Sequence, residues 1–567
     1  MIRYTPESQL SIEGFETPFY QQLDTTNRWV VLSKHIPWDK LANIYYHGMR
    51  SDFGAPSLSA RMVIGAVIIK HILNIDDREV VDQIRENIYL QYFVGLSSFQ
   101  TCAPFDASLM VSIRKRLGKD VIDQFNEQVL REAGVLGKAD EQSAKQNDDS
   151  ADNRDDRNQD NQDVTGSNEN QQEQKPSTVS QPPDANDQQK ENKTEETSIP
   201  SGTLLLDATV AEQQIEYPTD LKLLNEGRQQ LERIIAKGCK ALDIAQPRMY
   251  KQTARKKYLN IAKKKRKTKN QIRNGIRQQL QYVKRDLGYV NDMVEKHSSL
   301  PALNKRDWQL LRVIAELWRQ QNQMYQNKVH SIEDRIVSIY QPHVRPIPRG
   351  KDKATTEFGS KQLVMQKDGY THVYKIGWDN YNEAILLERS VEAYKSIYGC
   401  YPAAVSADRI FGNRTNRTYL KEKGIRFIGK ALGRPAALSN KEKKGLQKEM
   451  AGRNAIEGKF GQGKNAYGLA KIKARLKNTS ESWIMAIYFV MNLLKLAQAS
   501  FLSFLVWFCS PLWHFIRRIC SRKYWLLTKR DIYPISYDIR NISYLKDFTY
   551  SADPNYSSCA VLSCCNW

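Results

Sequence analysis

The sequence predicts an α/β protein, with a mixed-sheet core interrupted by a large helical insertion and preceded by an all-α domain. Three observations predict it. Two short apolar runs, Thr203–Leu206 ending at Asp207 and Ala403–Ser406 ending near Asp408, have the character of buried strands. Thr356–Met365 and Thr371–Trp378 are rich in β-formers and flank Lys367-Asp368-Gly369, where Asp-Gly tolerates the positive φ of a tight hairpin. Between the first run and the hairpin, Pro218–Met324 carries Lys, Arg, Gln and Leu at helical spacing.

In chain order, Ser59–Leu73 and Asp77–Gly95 read as successive helices, and Asp106 stands where an N-cap would precede SLMVSIRKRLG. They define a helical N-terminal domain over 1–137. Arg114, Lys115 and Arg116 on its last helix suit a helix-turn-helix-like surface that neutralises DNA phosphates. The alternative is an ordinary bundle with a solvated basic face. Residues 138–200 hold 16 acidic and 7 basic residues and no aromatic. That composition has too little apolar surface to offset the entropy of ordering, so it reads as a disordered acidic linker. The core then comprises 201–217 and 341–496 around an insertion at 218–340, with a helix at Asn382–Tyr398 and helical character over Gly452–Leu476. The tail 497–567 is unassigned.

Charge narrows the partners. Lys and Arg number 85 against 63 Asp and Glu, a net charge of +22 with a pI near 9.4, which favours a polyanion. Lys251–Arg285 concentrates this, with fourteen Lys or Arg and no acid in 35 positions. Within it Lys256, Lys257, Lys263, Lys264, Lys265, Arg266 and Lys267 are candidate phosphate contacts. Aromatics are sparse there, Tyr258 and Tyr282, so backbone contact is favoured over base stacking. A merely solvated helical face would mix both signs of charge.

Other classes find little support. A mean hydropathy of −0.61 argues against a polytopic membrane protein. Eight scattered cysteines, and an opening stretch without a basic-then-apolar leader pattern, point to a reducing cytoplasmic interior. Leu496–Ile516 is uncharged and long enough to span a membrane, yet Gln498, Pro511 and His514 favour a core helix extending Trp483–Leu494. No His and Cys pair at zinc spacing, and Cys559, Cys564 and Cys565 read as free thiols. GKFGQGK (Gly458–Lys464) lacks the spacing of a nucleotide-binding loop.

Taken singly, Asp207 and Asp408 are ordinary turn formers or caps. A third element adds weight. Arg453, Glu457 and Lys464 are four and seven residues apart, so on a helix they share one face, although an exposed Arg–Glu pair is the plainer reading of that spacing. Phosphodiester cleavage needs an activated oxygen nucleophile, a stabilised leaving oxygen and neutralised phosphate charge, and carboxylates holding hard divalent ions provide these.

Several stretches together resemble a known family. IPWDKL (Ile36–Leu41), ENIYLQYFVGL (Glu86–Leu96) and FDASLMVSIRKRLG (Phe105–Gly118) look like the helical opening domain of bacterial insertion-sequence transposases. Leu204–Arg228, PHVRPIPRGK (Pro342–Lys351), EFGSK (Glu357–Lys361), YPAAVSADRIFG (Tyr401–Gly412), LGRP (Leu432–Pro435) and RNAIEGKFGQGKNAYGL (Arg453–Leu469) resemble the catalytic part of the DDE group. The resemblance runs from about Trp29 to Leu496, omitting the acidic linker.

It implies an RNase H-like core in which Asp207, Asp408 and Glu457 are catalytic and hold two Mg²⁺ ions, with Mn²⁺ a possible substitute. Arg453 and Lys464 would contact DNA, in the family's Tyr-x2-Arg-x3-Glu-x6-Lys pattern. The chain departs from that pattern at Met450, which stands at the tyrosine position. The implied activity is metal-dependent cleavage and transfer of DNA strands at the ends of an insertion sequence, by a homodimer on double-stranded DNA in a bacterial cytoplasm. The alternative is a decayed or domesticated DNA-binding protein without catalysis.

Overall fold

A computed structural model of the 567-residue chain describes residues 22–136 and 200–499, apart from 48, 50–56, 298–301, 349–355 and 434–438. The acidic stretch 138–199, nearly all of Leu496–Ile516 and the cysteines Cys559, Cys564 and Cys565 lie outside the described residues.

Among the described residues, seven strands form one mixed sheet: β1 (Thr203–Gln213), β2 (Arg345–Pro348), β3 (Thr356–Lys367), β4 (Tyr370–Gly377), β5 (Ala404–Ala407), β6 (Arg426–Ile428) and β7 (Lys471–Ile472). β1 pairs antiparallel with β3 and parallel with β5 and β7. β3 also pairs antiparallel with β2 and β4, and β5 continues parallel to β6. The turn between β3 and β4 is the expected one, with Asp368 at φ 50° and Gly369 at φ 79°.

Three boundaries correct the sequence reading. β1 does not end at Asp207. It runs eleven residues with Asp207 inside it, because Ala208–Glu212 continue pairing with Leu363–Gly359 of β3. The helix expected over Gly452–Leu476 stops at Ala466, and Gly468, at φ 78°, turns the chain back to the sheet as β7. The segment expected as one helix from Asp77 to Gly95 is two. Asn87 is extended (φ −109°, ψ 113°), and its side chain accepts the N–H groups of Tyr89 and Leu90, starting a new helix.

The N-terminal helices are α1 (Arg28–His35), α2 (Trp38–Tyr46), α3 (Ala60–Leu73), α4 (Asp77–Glu86), α5 (Ile88–Phe93), α6 (Leu109–Leu117) and α7 (Lys119–Glu132). Ser59 caps α3 by accepting the Met62 N–H. Asp106 caps no helix directly; it accepts the Ser108 N–H at 2.8 Å and α6 begins at Leu109. The insertion comprises α8 (Asp220–Leu242), α9 (Lys251–Ala262), α10 (Lys269–His297) and α11 (Lys305–Asn327), around an apolar core of its own that includes Leu224, Leu231, Leu280, Ile314 and Leu317. After the hairpin come a 3-10 turn at Glu383–Leu386 and α12 (Leu387–Tyr398), where one helix was expected, followed by α13 (Arg414–Glu422), α14 (Asn440–Ala451), α15 (Asn454–Ala466) and α16 (Lys477–Ala499).

The sheet is covered on both faces. Leu204, Leu206 and Val405 pack against Leu387 and Val391 of α12 and Leu420 of α13. On the opposite face Ala211, Val364 and Val373 share one core with Ile456 and Phe460 of α15 and with Ile487 and Phe489 of α16. Trp29, Ile64, Phe93 and Phe125 of the N-terminal helices belong to that same core, so these helices close over the sheet instead of forming a detached bundle. α16 is apolar enough by composition to cross a membrane, with a mean hydropathy of 1.3, but it is mostly buried within the fold.

Polar contacts fix this seam. Asn492 of α16 donates to Asn126 of α7 at 2.6 Å and to the Thr371 carbonyl at 2.7 Å, and accepts the Thr371 N–H at 3.0 Å. Nearby, Lys70 is buried against Asp77 at 2.8 Å with its ammonium 4.5 Å from the Trp483 ring centre. His71 stands edge-on to the same ring.

Burial, with the charges of Lys70 and Arg114, pushes the His71 pKa down to about 3. An unfolded histidine titrates near ~6.5, so between these values the unfolded chain binds the extra proton. The stabilisation is therefore complete above the unfolded pKa and is lost as pH falls toward the folded one. Denaturant unfolding should show stability declining from about pH 6.5 toward about pH 4, and His71→Met should flatten the decline. A variant whose decline matches that of the unmodified protein contradicts this account.

Candidate active site

Asp207 shares the face of β1 that carries Leu205 and Ala211, the side toward α15 and α16. Parallel pairing sets Leu206 opposite Ala407. The next positions along the two strands are Asp207 and Asp408, so the register delivers two carboxylates side by side. Asp408 leaves β5 as the cap of a 3-10 turn, Arg409–Phe411, and accepts the Arg409 N–H at 2.7 Å.

α15 packs against β1 and supplies the third acid. Arg453 immediately precedes the helix, and Glu457 follows one turn later. The Arg453 guanidinium contacts Glu457 Oε1 at 2.6 Å and donates to Asp207 Oδ2 at 3.3 Å. Asp207 Oδ1 accepts the Ala208 N–H at 2.8 Å. Burial raises the Asp207 carboxyl to about 6; the Ala208 N–H and Arg453 oppose the shift, while the charges of Asp408 and Glu457 add to it. Both other acids are thus close enough to act on Asp207.

A cleft of about 300 Å³ opens at Asp408 and Arg453, lined also by Ser406, Arg409, Lys430 and Met450, while Asp207 and Glu457 are not among its lining residues. Arg409 and Lys430 bring positive charge that the sequence reading did not single out. Arg409 had a signal, its adjacency to Asp408. Lys430 had none, because β6 brings it to the cleft from a distant part of the chain.

All three acids offer the carboxylate oxygens that hard divalent ions prefer. Among the described residues, no three His, Cys, Asp or Glu side chains form a ready-made metal cage. The guanidinium of Arg453 lies between Asp207 and Glu457 and already supplies positive charge there. The residues therefore fit a divalent ion in donor type and in charge, with the gap between two of them held by an arginine.

The remaining candidates are placed as follows. Lys464 is half-buried near the end of α15. Lys256 and Lys257 are exposed on α9, and Lys263, Lys264, Lys265, Arg266 and Lys267 are exposed between α9 and α10. They form a basic tip on the insertion. Lys115 is exposed on α6, and Arg116 donates to the Tyr45 hydroxyl at 3.1 Å. Arg114 is turned inward. It grips both oxygens of Asp77 at 2.8 and 2.7 Å, with 11% of its side chain exposed, so its charge is committed to the N-terminal core.

Two family models match separate parts of the chain. The Transposase domain (DUF772) family matches residues 17–116, and the Transposase DDE domain family matches 405–494. Both matches support an insertion-sequence transposase of the DDE type. The DDE match contains Asp408, Arg453, Glu457 and Lys464, whereas Asp207 precedes it. The chain is also 32% identical over 117 residues to the uncharacterized protein ORF8 in nfe locus of Rhizobium meliloti. That match covers 21% of this chain and 56% of the relative, so the chain spans little more than half of the relative's length. No solved structure is a significant match.

The placement of Arg114 and Lys115 separates a structural cation from a surface one. Arg114→Gln should lower the stability of the protein by roughly 3 kcal/mol, the scale of breaking a buried ion pair. Lys115→Gln should change it by less than about 0.5 kcal/mol. Thermal or denaturant unfolding checks both, and equal effects would contradict the assignment.

Proposed function

We propose that this transposase cuts DNA at the ends of an insertion sequence and joins the freed strands to target DNA, with Asp207, Asp408 and Glu457 as its catalytic acids. The observation that carries this reading is a strand register that aligns Asp207 with Asp408 while Arg453 contacts both Asp207 and Glu457. The order of the sheet, antiparallel through β3 and β1 and parallel through β5 and β6, supports an RNase H-like core.

Each group has a distinct task. Asp207 is fixed within the strand, so its carboxylate is held by backbone rather than by a loop. Asp408 and Glu457 approach it from the turn after β5 and from α15. A pair of Mg²⁺ or Mn²⁺ ions bound by these acids would supply Lewis acidity for in-line displacement at phosphorus. Arg409 and Lys430 line the cleft where the scissile phosphate would lie and would balance its charge. Water would attack phosphorus first, displacing the 3′-oxygen as a 3′-hydroxyl and leaving a 5′-phosphate on the flanking strand. That hydroxyl would then attack a target phosphodiester, forming a new P–O bond as the target's own 3′-oxygen leaves. The exposed cations of the α9–α10 tip would hold flanking duplex through its phosphates. Two ends require two such sites, so a homodimer on DNA is the simplest assembly.

The test is cleavage of a DNA carrying the element's ends with Mg²⁺ or Mn²⁺. Asp207→Asn, Asp408→Asn and Glu457→Gln should each lose strand cleavage by at least about a hundredfold while duplex binding persists. Undiminished cleavage by any of them would remove that residue from the site. Binding without cleavage by the unmodified protein would favour the non-catalytic alternative.

A further inference from the structure

Arg453 is more than a cation near the acids. It bridges two of them, contacting Glu457 within its own helical turn at 2.6 Å and Asp207 across the sheet boundary at 3.3 Å. The first contact is local and short. The second is longer and joins segments distant in the chain, so it is the one that can be exchanged without disturbing α15. Arg453 also lines the cleft with Arg409 and Lys430, and 27% of its side chain is exposed. The guanidinium is therefore within reach of anything negative that enters the cleft.

Two demands compete for this position. Without DNA, clustered carboxylates need a positive partner, and the guanidinium provides one. With DNA, a phosphate offers the guanidinium a bidentate acceptor of matching geometry. Divalent ions and Arg453 would compete for the same carboxylate oxygens.

We propose that Arg453 is an exchangeable counter-ion that couples metal loading to DNA binding. In the free protein it occupies the gap between Asp207 and Glu457 and weakens divalent-ion binding. A DNA phosphate in the cleft draws the guanidinium away from Asp207, and the carboxylates are released to take the ion. The site is thereby kept from loading metal until DNA is present. By linkage, bound metal also tightens the grip on DNA by the same factor. This inference rests on the reading of Asp207, Asp408 and Glu457 as metal ligands.

The experiment measures Mn²⁺ affinity of the full chain by the electron paramagnetic resonance of free Mn²⁺, with and without a linear duplex of mixed sequence, correcting for ions bound by the duplex alone. The unmodified protein should gain about tenfold or more in Mn²⁺ affinity when DNA is added. Arg453→Gln should bind Mn²⁺ without DNA about as tightly as the unmodified protein does with it, and DNA should then add less than about twofold. Arg453→Lys, which keeps the charge without the fork, should fall between them and preserves the test should Arg453→Gln fold poorly. Equal Mn²⁺ affinity of the unmodified protein with and without DNA would overturn the inference, as would weaker DNA-free Mn²⁺ binding by the folded variants. Asp207→Asn separates the two levels. If it binds Mn²⁺ as well as the unmodified protein, the metal-site reading fails; if it loses Mn²⁺ while Arg453→Gln behaves as unmodified, only the counter-ion role fails.

Discussion

Strand β1 is hydrogen-bonded along both edges, and the positions of Asp207 and Asp408 follow from that pairing. β3 fixes it antiparallel on one side, while β5 and β7 fix it parallel on the other. The alternation of its side chains sends Leu204 and Leu206 to one apolar layer and Asp207, with Leu205 and Ala211, toward the other. A slip of one residue would bury Asp207 among aliphatic groups and turn a leucine toward Arg453. Long, doubly paired strands resist such slips, so the carboxylate sits in one of the most constrained parts of the chain.

The layer above Asp207 explains why the helical opening domain belongs to the same folding unit. α16 is apolar around most of its circumference because it packs on the sheet and on the N-terminal helices at once. The buried network of Asn126, Thr371 and Asn492 gives that apolar seam a unique register, since each amide finds its partner only when α7, β4 and α16 are aligned. Phe125 and Phe489 meet in the same seam, with ring centres 5.7 Å apart. DNA held by the opening domain would thus be held in fixed relation to the acids.

Much of this arrangement was legible in the sequence. The hairpin was announced by Asp368-Gly369, α3 by the apolar run Ser59–Leu73, and the two aspartates by the apolar runs before them. The Arg453–Glu457 contact was written in helical spacing. What stayed hidden depends on partners distant in the chain. β2, β6 and β7 are too short to carry a pattern and exist because neighbours offer hydrogen bonds. Asp207 lies inside its strand because β3 continues to pair past it. Arg114 faces inward because Asp77 and the Trp483 ring wait there, whereas spacing alone placed it with Lys115 and Arg116 on a basic face. The apolar character of α16 was ambiguous for a similar reason, since a helix enclosed by protein and one enclosed by lipid share a composition.

The electrostatic logic ties these levels together. Packing places Asp408 and Glu457 where their charges add to the cost of ionising Asp207, and a positive charge answers them, whether guanidinium or divalent ion. The central claim is that Asp207, Asp408 and Glu457 constitute one site. Anomalous X-ray scattering from crystals of the DNA complex grown with Mn²⁺ tests it most directly. The account predicts manganese peaks within about 2.5 Å of carboxylate oxygens from all three residues. Manganese bound elsewhere, with these carboxylates facing different surfaces, would contradict it.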